Sequence, residues 1–274
     1  MKRARVVIVL LMALALVFAC AHQQTGVNPT ATPAFDRIMQ RGELVVGTAA
    51  EMPAFSMKTK DGEIIGLEAD LAKLIAKAMG VKLRFEVMQF SKLLPALEGG
   101  KVDMILSYMT ITPRRNVKVA FVGPYFVSGK AFLTKIETIA RSREATEVNS
   151  PKVRLTGLMG STSQYFVEEV LPKVQFVPAK TYDEAVRMVL QDKVDAMIAD
   201  YPRCVVSVFQ YPDKGLLSVV TPLTYEPYGI AIPAGDPHLI NWLENFLDTL
   251  DQTGTLDELT ARWFEDVSWL NQMP

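Results

Sequence analysis

Apolar residues in this chain recur with two different spacings. Short runs that are apolar on both faces predict buried strands at 43–48, 81–87, 102–106, 153–158, 174–177 and 194–199. The run at 102–106 has the continuous apolar character of a strand in a parallel sheet covered by helices on both sides. Spacings of three and four between these runs predict helices. A short helix is expected at 35–40 and a longer one at 67–79, with Leu71, Leu74, Ile75 and Ala78 on one face and Gly80 as its stop. Another is expected at 91–98, ended by Gly99 and Gly100, with Pro95 near its start where it costs at most one backbone bond. Residues 49–57 read as a loop beyond the first strand, and Asp61-Gly62 as a turn.

The second half continues the pattern. Residues 121–125 lead into an apolar strand at 127–134, interrupted by Gly129, and the charged stretch 137–152 reads as a surface crossing. A turn at 159–163 opens a helix at 164–170. A helix at 181–190 carries Thr181 and Glu184 at capping-box spacing, as Thr255 and Glu258 do before the last helix, which ends at Phe264. Strands are expected at 216–222 and 228–232, then a helix opened by Asp236-Pro237 and running to Leu250, with Trp242, Phe246 and Leu250 on one face. LEGGKVDMIL at 97–106 and LQDKVDAMI at 190–198 share the order helix, turn, Lys-Val-Asp, strand. Two related α/β units imply two lobes with a cleft between them.

The polar continuation of the 102–106 strand carries Ser107, Thr110, Thr112, Arg114 and Arg115. Ligands of open α/β sheets bind just beyond the carboxyl ends of strands. Hydroxyls followed by a guanidinium suit a carboxylate there, because arginine can give it two parallel charge-assisted hydrogen bonds. A solvated loop with surface arginines fits the same residues equally well.

The 274 residues suit one large or two medium domains. Lys2, Arg3 and Arg5 precede an unbroken apolar run from Val6 to Ala19 that stops at Cys20, so 1–19 reads as a secretory signal. The run falls short of the ~20 residues of a membrane span. VFAC at 17–20 resembles the bacterial lipoprotein cleavage box, with Val where Leu is commoner, which would make Cys20 the lipidated mature N-terminus. An ordinary signal with an incidental cysteine is the alternative. Residues 20–34 then form a polar, proline-punctuated tether. A formal net charge of −1 gives no footprint for nucleic acid. With Cys20 acylated, Cys204 has no disulfide partner and the core must supply the stability. His22, His238 and Cys204 form no metal-ligand spacing, so no metal, cofactor or catalytic residue is expected.

Between residues 43 and 264 the ordered motifs VVGT (45–48), MPAF (52–55), GLEADLAK (66–73), LPAL (94–97), KVD (101–103), MTITPRR (109–115), GSTS (160–163), VDA (194–196) and EPYGIA (226–231), with 121–125 and 254–264, resemble the bacterial extracellular solute-binding proteins of family 3. These are the type II periplasmic amino-acid-binding proteins of ABC importers. The resemblance implies a two-lobed α/β Venus-flytrap fold, with lobe 1 at 35–128 plus 226–274, lobe 2 at 129–225, and hinges near 128–130 and 223–227. It implies a monomer that closes on an amino acid or similar zwitterion and hands it to the permease subunits in the membrane. Position by position, Arg115 and Thr110 match the groups that hold the ligand α-carboxylate, with Thr162 adding a donor from the other lobe. Asp200 matches the acceptor of the α-ammonium and Phe90 an aromatic wall. Ser107, Tyr108 and Met52 line the same loops. Three positions depart from the pattern: Met52 replaces an aromatic, Tyr108 a small residue, and Ala49 an aspartate frequent in the family. Tyr108 suggests a smaller or differently shaped ligand, and the missing aspartate argues against a standard basic-amino-acid pocket; Glu51 could substitute for it from the same side of an extended segment, although solvent exposure is expected for Glu51.

The alternative is a periplasmic enzyme on the same fold, since some relatives resemble cyclohexadienyl or prephenate dehydratases and Glu51 or Glu226 could act as an acid if desolvated. A sensory module acting through a separate partner is a third reading. The lipoprotein assignment has a direct test: Cys20→Ser is expected to abolish fatty-acid labelling and release a soluble form.

Overall fold

The computed structural model describes residues 33–219 and 222–273. The signal, Cys20 and the tether up to residue 32 lie outside the described residues, while Ala34, expected in the tether, already lies buried in the first helix. The chain runs α1 (Ala34–Arg41), β1 (Glu43–Thr48), β2 (Glu51–Met52), β3 (Ser56–Lys58), β4 (Ile64–Ile65), α2 (Leu67–Met79), β5 (Lys82–Val87), α3 (Phe90–Glu98), β6 (Met104–Ile105), α4 (Pro113–Asn116) and β7 (Val119–Ser128). It continues through β8 (Lys130–Thr134), α5 (Glu137–Ala140), β9 (Arg154–Leu158), α6 (Thr162–Val170), β10 (Gln175–Ala179), α7 (Tyr182–Leu190), β11 (Ala196–Asp200), α8 (Tyr201–Gln210) and β12 (Leu217–Ser218). The last elements are β13 (Glu226–Pro233), α9 (Pro237–Gln252) and α10 (Thr255–Phe264).

Two five-stranded sheets have matching topology. The first has the order β5-β1-β6-β13-β7 and the second β10-β9-β11-β8-β12. In each, three strands are parallel and the remaining two pair antiparallel. The 102–106 run therefore sits in a mixed sheet, parallel to β1 and antiparallel to β13, and its regular part shortens to Met104–Ile105. The Lys-Val-Asp repeat has a structural cause. Asp103 accepts the Val45 N–H at 2.8 Å, and Asp195 accepts the Arg154 N–H at 2.7 Å. Each aspartate thus ties the start of its own strand to the start of the neighbouring one, and each also pairs with an arginine, Arg41 or Arg154.

Several local expectations change in the tertiary setting. The 49–57 loop contains β2 and β3, which form a small sheet with β4. Ala78 is exposed, and the buried face of α2 uses Ala72, Ala76 and Met79 beside Leu71 and Ile75. Pro95 lies in the second half of α3. The core face of α9 is Leu239, Leu243, Leu247 and Leu250, while Trp242 and Phe246 stack on each other half-buried. Gly254, left-handed at φ +73°, precedes α10, so Thr255 is its first residue and not its cap. Helix α8 follows Asp200 directly, with Cys204 buried against the Ala131 carbonyl.

The chain passes from the first sheet to the second at Gly129 and returns before β13. The two crossings lie side by side: Lys130 N–H donates to Thr224 Oγ1 at 3.0 Å, and Leu223 N–H to the Lys130 carbonyl at 2.7 Å. A Cβ on Gly129 would stand 2.3 Å from the Thr224 carbonyl oxygen and 2.5 Å from Pro222 Cβ. Gly129→Ala is therefore expected to destabilise the protein by about 1–3 kcal/mol through overpacking of the crossings, measurable by urea denaturation.

Candidate functional site

The loops at the carboxyl ends of β1 and β6 are held by one buried carboxylate. Glu68, in the first turn of α2, accepts the Tyr108 N–H, the Tyr125 hydroxyl at 2.5 Å and the Ser56 hydroxyl at 2.7 Å. Burial drives its pKa up against these hydrogen bonds. Ser56 accepts in turn from Thr48, whose hydroxyl accepts the Ala50 N–H. Ala50 and Tyr108 both adopt left-handed backbone, at φ +53° and +44°. Such conformations cost of order 1–3 kcal/mol each, which this network helps to offset. Ser107 contributes by accepting the Ala49 N–H at 3.0 Å, so it positions the loop.

Polar side chains from both sheets meet where the crossings run. Thr110 Oγ1 donates to Glu226 Oε2 at 2.7 Å, and Thr162 Oγ1, from the first residue of α6, donates to the same oxygen at 2.9 Å. Thr224 donates to Glu226 Oε1 at 3.1 Å. Lys130, 1% exposed, stands 3.1 Å from Asp200 Oδ1 and 3.3 Å from Glu226 Oε1. Tyr182 donates its hydroxyl to Asp200 Oδ2 at 3.3 Å. Arg115, buried at 5% exposure, donates to the Thr110 carbonyl at 2.8 Å and across to the Gly160 carbonyl at 3.3 Å. Its guanidinium lies 5.6 Å from the Phe90 ring centroid, and Phe90 stacks on Tyr108 at 5.3 Å. Arg114 covers the Tyr165 ring at 4.0 Å. A cavity of about 440 Å³ opens beside these groups, among Phe90, Leu94, Arg114, Arg115, Gly160 and Tyr165.

The charges respond to this packing. Burial would raise Glu226, but Lys130 and the threonine hydroxyls outweigh it and hold the carboxyl below its usual range. Asp200 is raised, because burial outweighs the pull of Lys130. Desolvation lowers Arg115. Glu51 behaves differently from the expectation of solvent exposure. The left-handed turn at Ala50 breaks the extended segment and aims Glu51 inward, where its Oε2 accepts the Tyr182 N–H at 3.0 Å. Desolvation raises its pKa to about 7. Met52, in β2, is fully buried in the hydrophobic core.

The sequence and the fold both have known counterparts. The family described as bacterial extracellular solute-binding proteins, family 3, matches residues 44–266. This chain belongs to that family. An L-arginine-binding protein of Pseudomonas aeruginosa is 31% identical over 233 residues, covering 80% of this chain and 86% of that protein. A lysine-complexed structure from Wolinella succinogenes is 39% identical, with a TM-score of 0.79, covering 84% of this chain and 99% of that one. An ancestral amino acid-binding protein, described as a precursor of cyclohexadienyl dehydratase, is 37% identical with a TM-score of 0.75 over 84% of this chain and 99% of its own.

Within this solute-binding framework, Arg115, Thr110, Thr162, Asp200, Phe90 and Tyr108 lie in one connected set of contacts that includes Tyr182, whereas Ser107 bonds the loop backbone at Ala49 and Met52 is fully buried. The sequence reading did not assign Lys130 or Tyr182 to the site. Lys130 left one signal, a lone charge inside the apolar run 127–134. Tyr182 left none, because it reads as an ordinary first-turn residue. Glu51 offers a test of the geometry. Its pKa is higher folded than unfolded, so the folded chain holds that proton more tightly and stability falls as pH rises from 4.5 to about 7. The loss is of order 3 kcal/mol. Glu51→Gln is expected to remove this part of the slope and to exceed the parent in stability at pH 8, read from urea midpoints across pH.

Proposed function

We propose that this chain is the ligand-capturing subunit of an ABC importer, exported and lipid-anchored through Cys20. It takes a polar amino acid or similar zwitterion between its two sheets, closes by rotation at the crossings near Gly129 and Thr224, and delivers the ligand to its permease. The lobes in this reading are 35–128 plus 226–274 and 129–225. The supporting observation is the convergence of Thr110 and Thr162, from opposite sheets, on one carboxylate oxygen beside buried Arg115. Such a constellation is built to bind carboxylate, and Asp200 across from it suits an ammonium. Relatives named as arginine-, glutamine- and cystine-binding proteins agree with this chemistry.

In this reading the ligand α-carboxylate takes hydrogen bonds from Arg115 and the two threonines, and its ammonium joins Asp200. Bonds between the lobes form only on closure, so the ligand selects the closed state by its differential affinity. The chain acts as a binder that leaves its ligand chemically unchanged. A dehydratase is the second reading, favoured by one feature: the buried Glu51 carboxyl near pKa 7 could donate a proton. Incubation with prephenate or arogenate separates the two, since the binder leaves both intact. Arg115→Ala is expected to weaken amino-acid binding by at least about 30-fold with the fold retained. Calorimetric titration beside a circular dichroism melt measures both, and undiminished affinity would remove the carboxylate assignment.

A further inference from the structure

The groups assigned above to the two charged ends of the ligand already have partners of the ligand's own chemistry. A hydroxyl carries one proton, and Thr110 and Thr162 both give theirs to Glu226 Oε2, at 2.7 Å and 2.9 Å. Arg115, the third group of the carboxylate set, is within electrostatic reach of the same carboxylate. On the ammonium side, Asp200 Oδ1 stands 3.1 Å from Lys130 Nζ. The two occupants also touch each other. Lys130 Nζ lies 3.3 Å from Glu226 Oε1, so an ammonium and a carboxylate sit side by side, as they do around the Cα of an amino acid. Both side chains are buried, and each starts at a crossing, Lys130 as the first residue of β8 and Glu226 as the first residue of β13.

We propose that Glu226 and Lys130 act as a built-in zwitterion: they occupy the carboxylate and ammonium sites themselves, hold the two sheets together in place of a ligand, and must withdraw before an amino acid binds. This rests on the binding reading above and adds its regulation. The contacts of the pair cross between the halves, since Glu226 belongs to β13 in the first sheet, while Lys130 lies in β8 of the second and Thr162 opens α6, which packs on β9 of the second. The exchange strands no charge. Glu226 Oε1 accepts from Thr224 at 3.1 Å and pairs with Lys130, so the carboxylate stays paired when Oε2 gives up the two threonines. Lys130 keeps Glu226 and releases Asp200 to the ligand ammonium, while the ligand carboxylate takes both hydroxyl protons and Arg115. Because the displaced pair keeps its own contact, neither buried charge is left uncompensated. The consequence is a lower apparent affinity, since a ligand finds its sites free only for the fraction of time in which the pair has withdrawn.

Two measurements test this, with L-arginine, L-lysine, L-glutamine and L-cystine as probes. Small-angle X-ray scattering compares the radius of gyration of the protein with and without a saturating probe. The two values are expected to agree, because the pair already holds the sheets together; a clear contraction on adding the probe overturns the proposal. The second measurement is calorimetric titration of the double variant Lys130→Met, Glu226→Leu, which replaces both charges at once by apolar groups. Its radius of gyration without probe should rise above the parent's, and its binding should tighten about tenfold, the gain expected when the pair holds its sites for about nine-tenths of the time. Unchanged or weaker binding, in a variant that keeps the parent's circular dichroism spectrum, overturns the built-in zwitterion while leaving amino-acid binding standing. Should the double variant not fold, the scattering of the parent decides alone. If the parent binds none of the four probes and no other amino acid, the binding reading itself falls, and the proposal with it.

Discussion

The Glu226 carboxylate is the point on which the two halves of this protein meet. It accepts hydroxyl protons from Thr110 on one side and Thr162 on the other, and it shares Lys130 with Asp200. A buried ammonium between two carboxylates is stable only while all three remain paired, since removal of one partner leaves an uncompensated charge. Separating the sheets instead returns whole groups to water. The hydrogen bonds between the two halves include Thr162 to Glu226, Arg115 to Gly160 and Tyr182 to Glu51, each contributing a net ~1 kcal/mol, beside the Lys130–Glu226 ion pair.

Behind that meeting point stands a second carboxylate with a different task. Among the described residues the hydrogen bonds of Glu68 go to Tyr108, Tyr125 and Ser56, and so fix both loops of the first sheet. The left-handed residues Ala50 and Tyr108 depend on it, and their conformations aim Glu51 and the Tyr108 ring into the cleft. The direction of these two side chains is therefore set by the backbone, and a residue of α2 helps to hold it.

Much of this was legible in the residue order. The strands β1, β9 and β11, the helices α2 and α7, and the repeated Lys-Val-Asp units follow from local period and capping, and the structure places them within a residue or two. Arg115 and Thr110 were singled out by the resemblance, since hydroxyls and a guanidinium after an apolar strand fit a solvated loop equally well; the structure buries both. The errors have a common cause. Ala78, Trp242 and Phe246 were assigned to the core by helical spacing, yet the neighbouring elements cover a face rotated from theirs. Period fixes which residues share a face, and packing chooses which face is covered.

The sequence alone determined most of the longer strands and helices, their order and the repeated helix–turn–Lys-Val-Asp–strand unit, because these depend on contacts between residues near one another in the chain. It could not determine that Glu226 and Lys130 pair at the crossings, that Tyr182 spans Asp200 and Glu51, or that Glu51 points inward. Those depend on residues as far apart as Thr110 and Glu226, brought together only when two sheets dock, and on a left-handed turn at Ala50 that no side-chain pattern announces. Local propensity builds the parts. The desolvation of charges between them, which arises only on docking, decides the site.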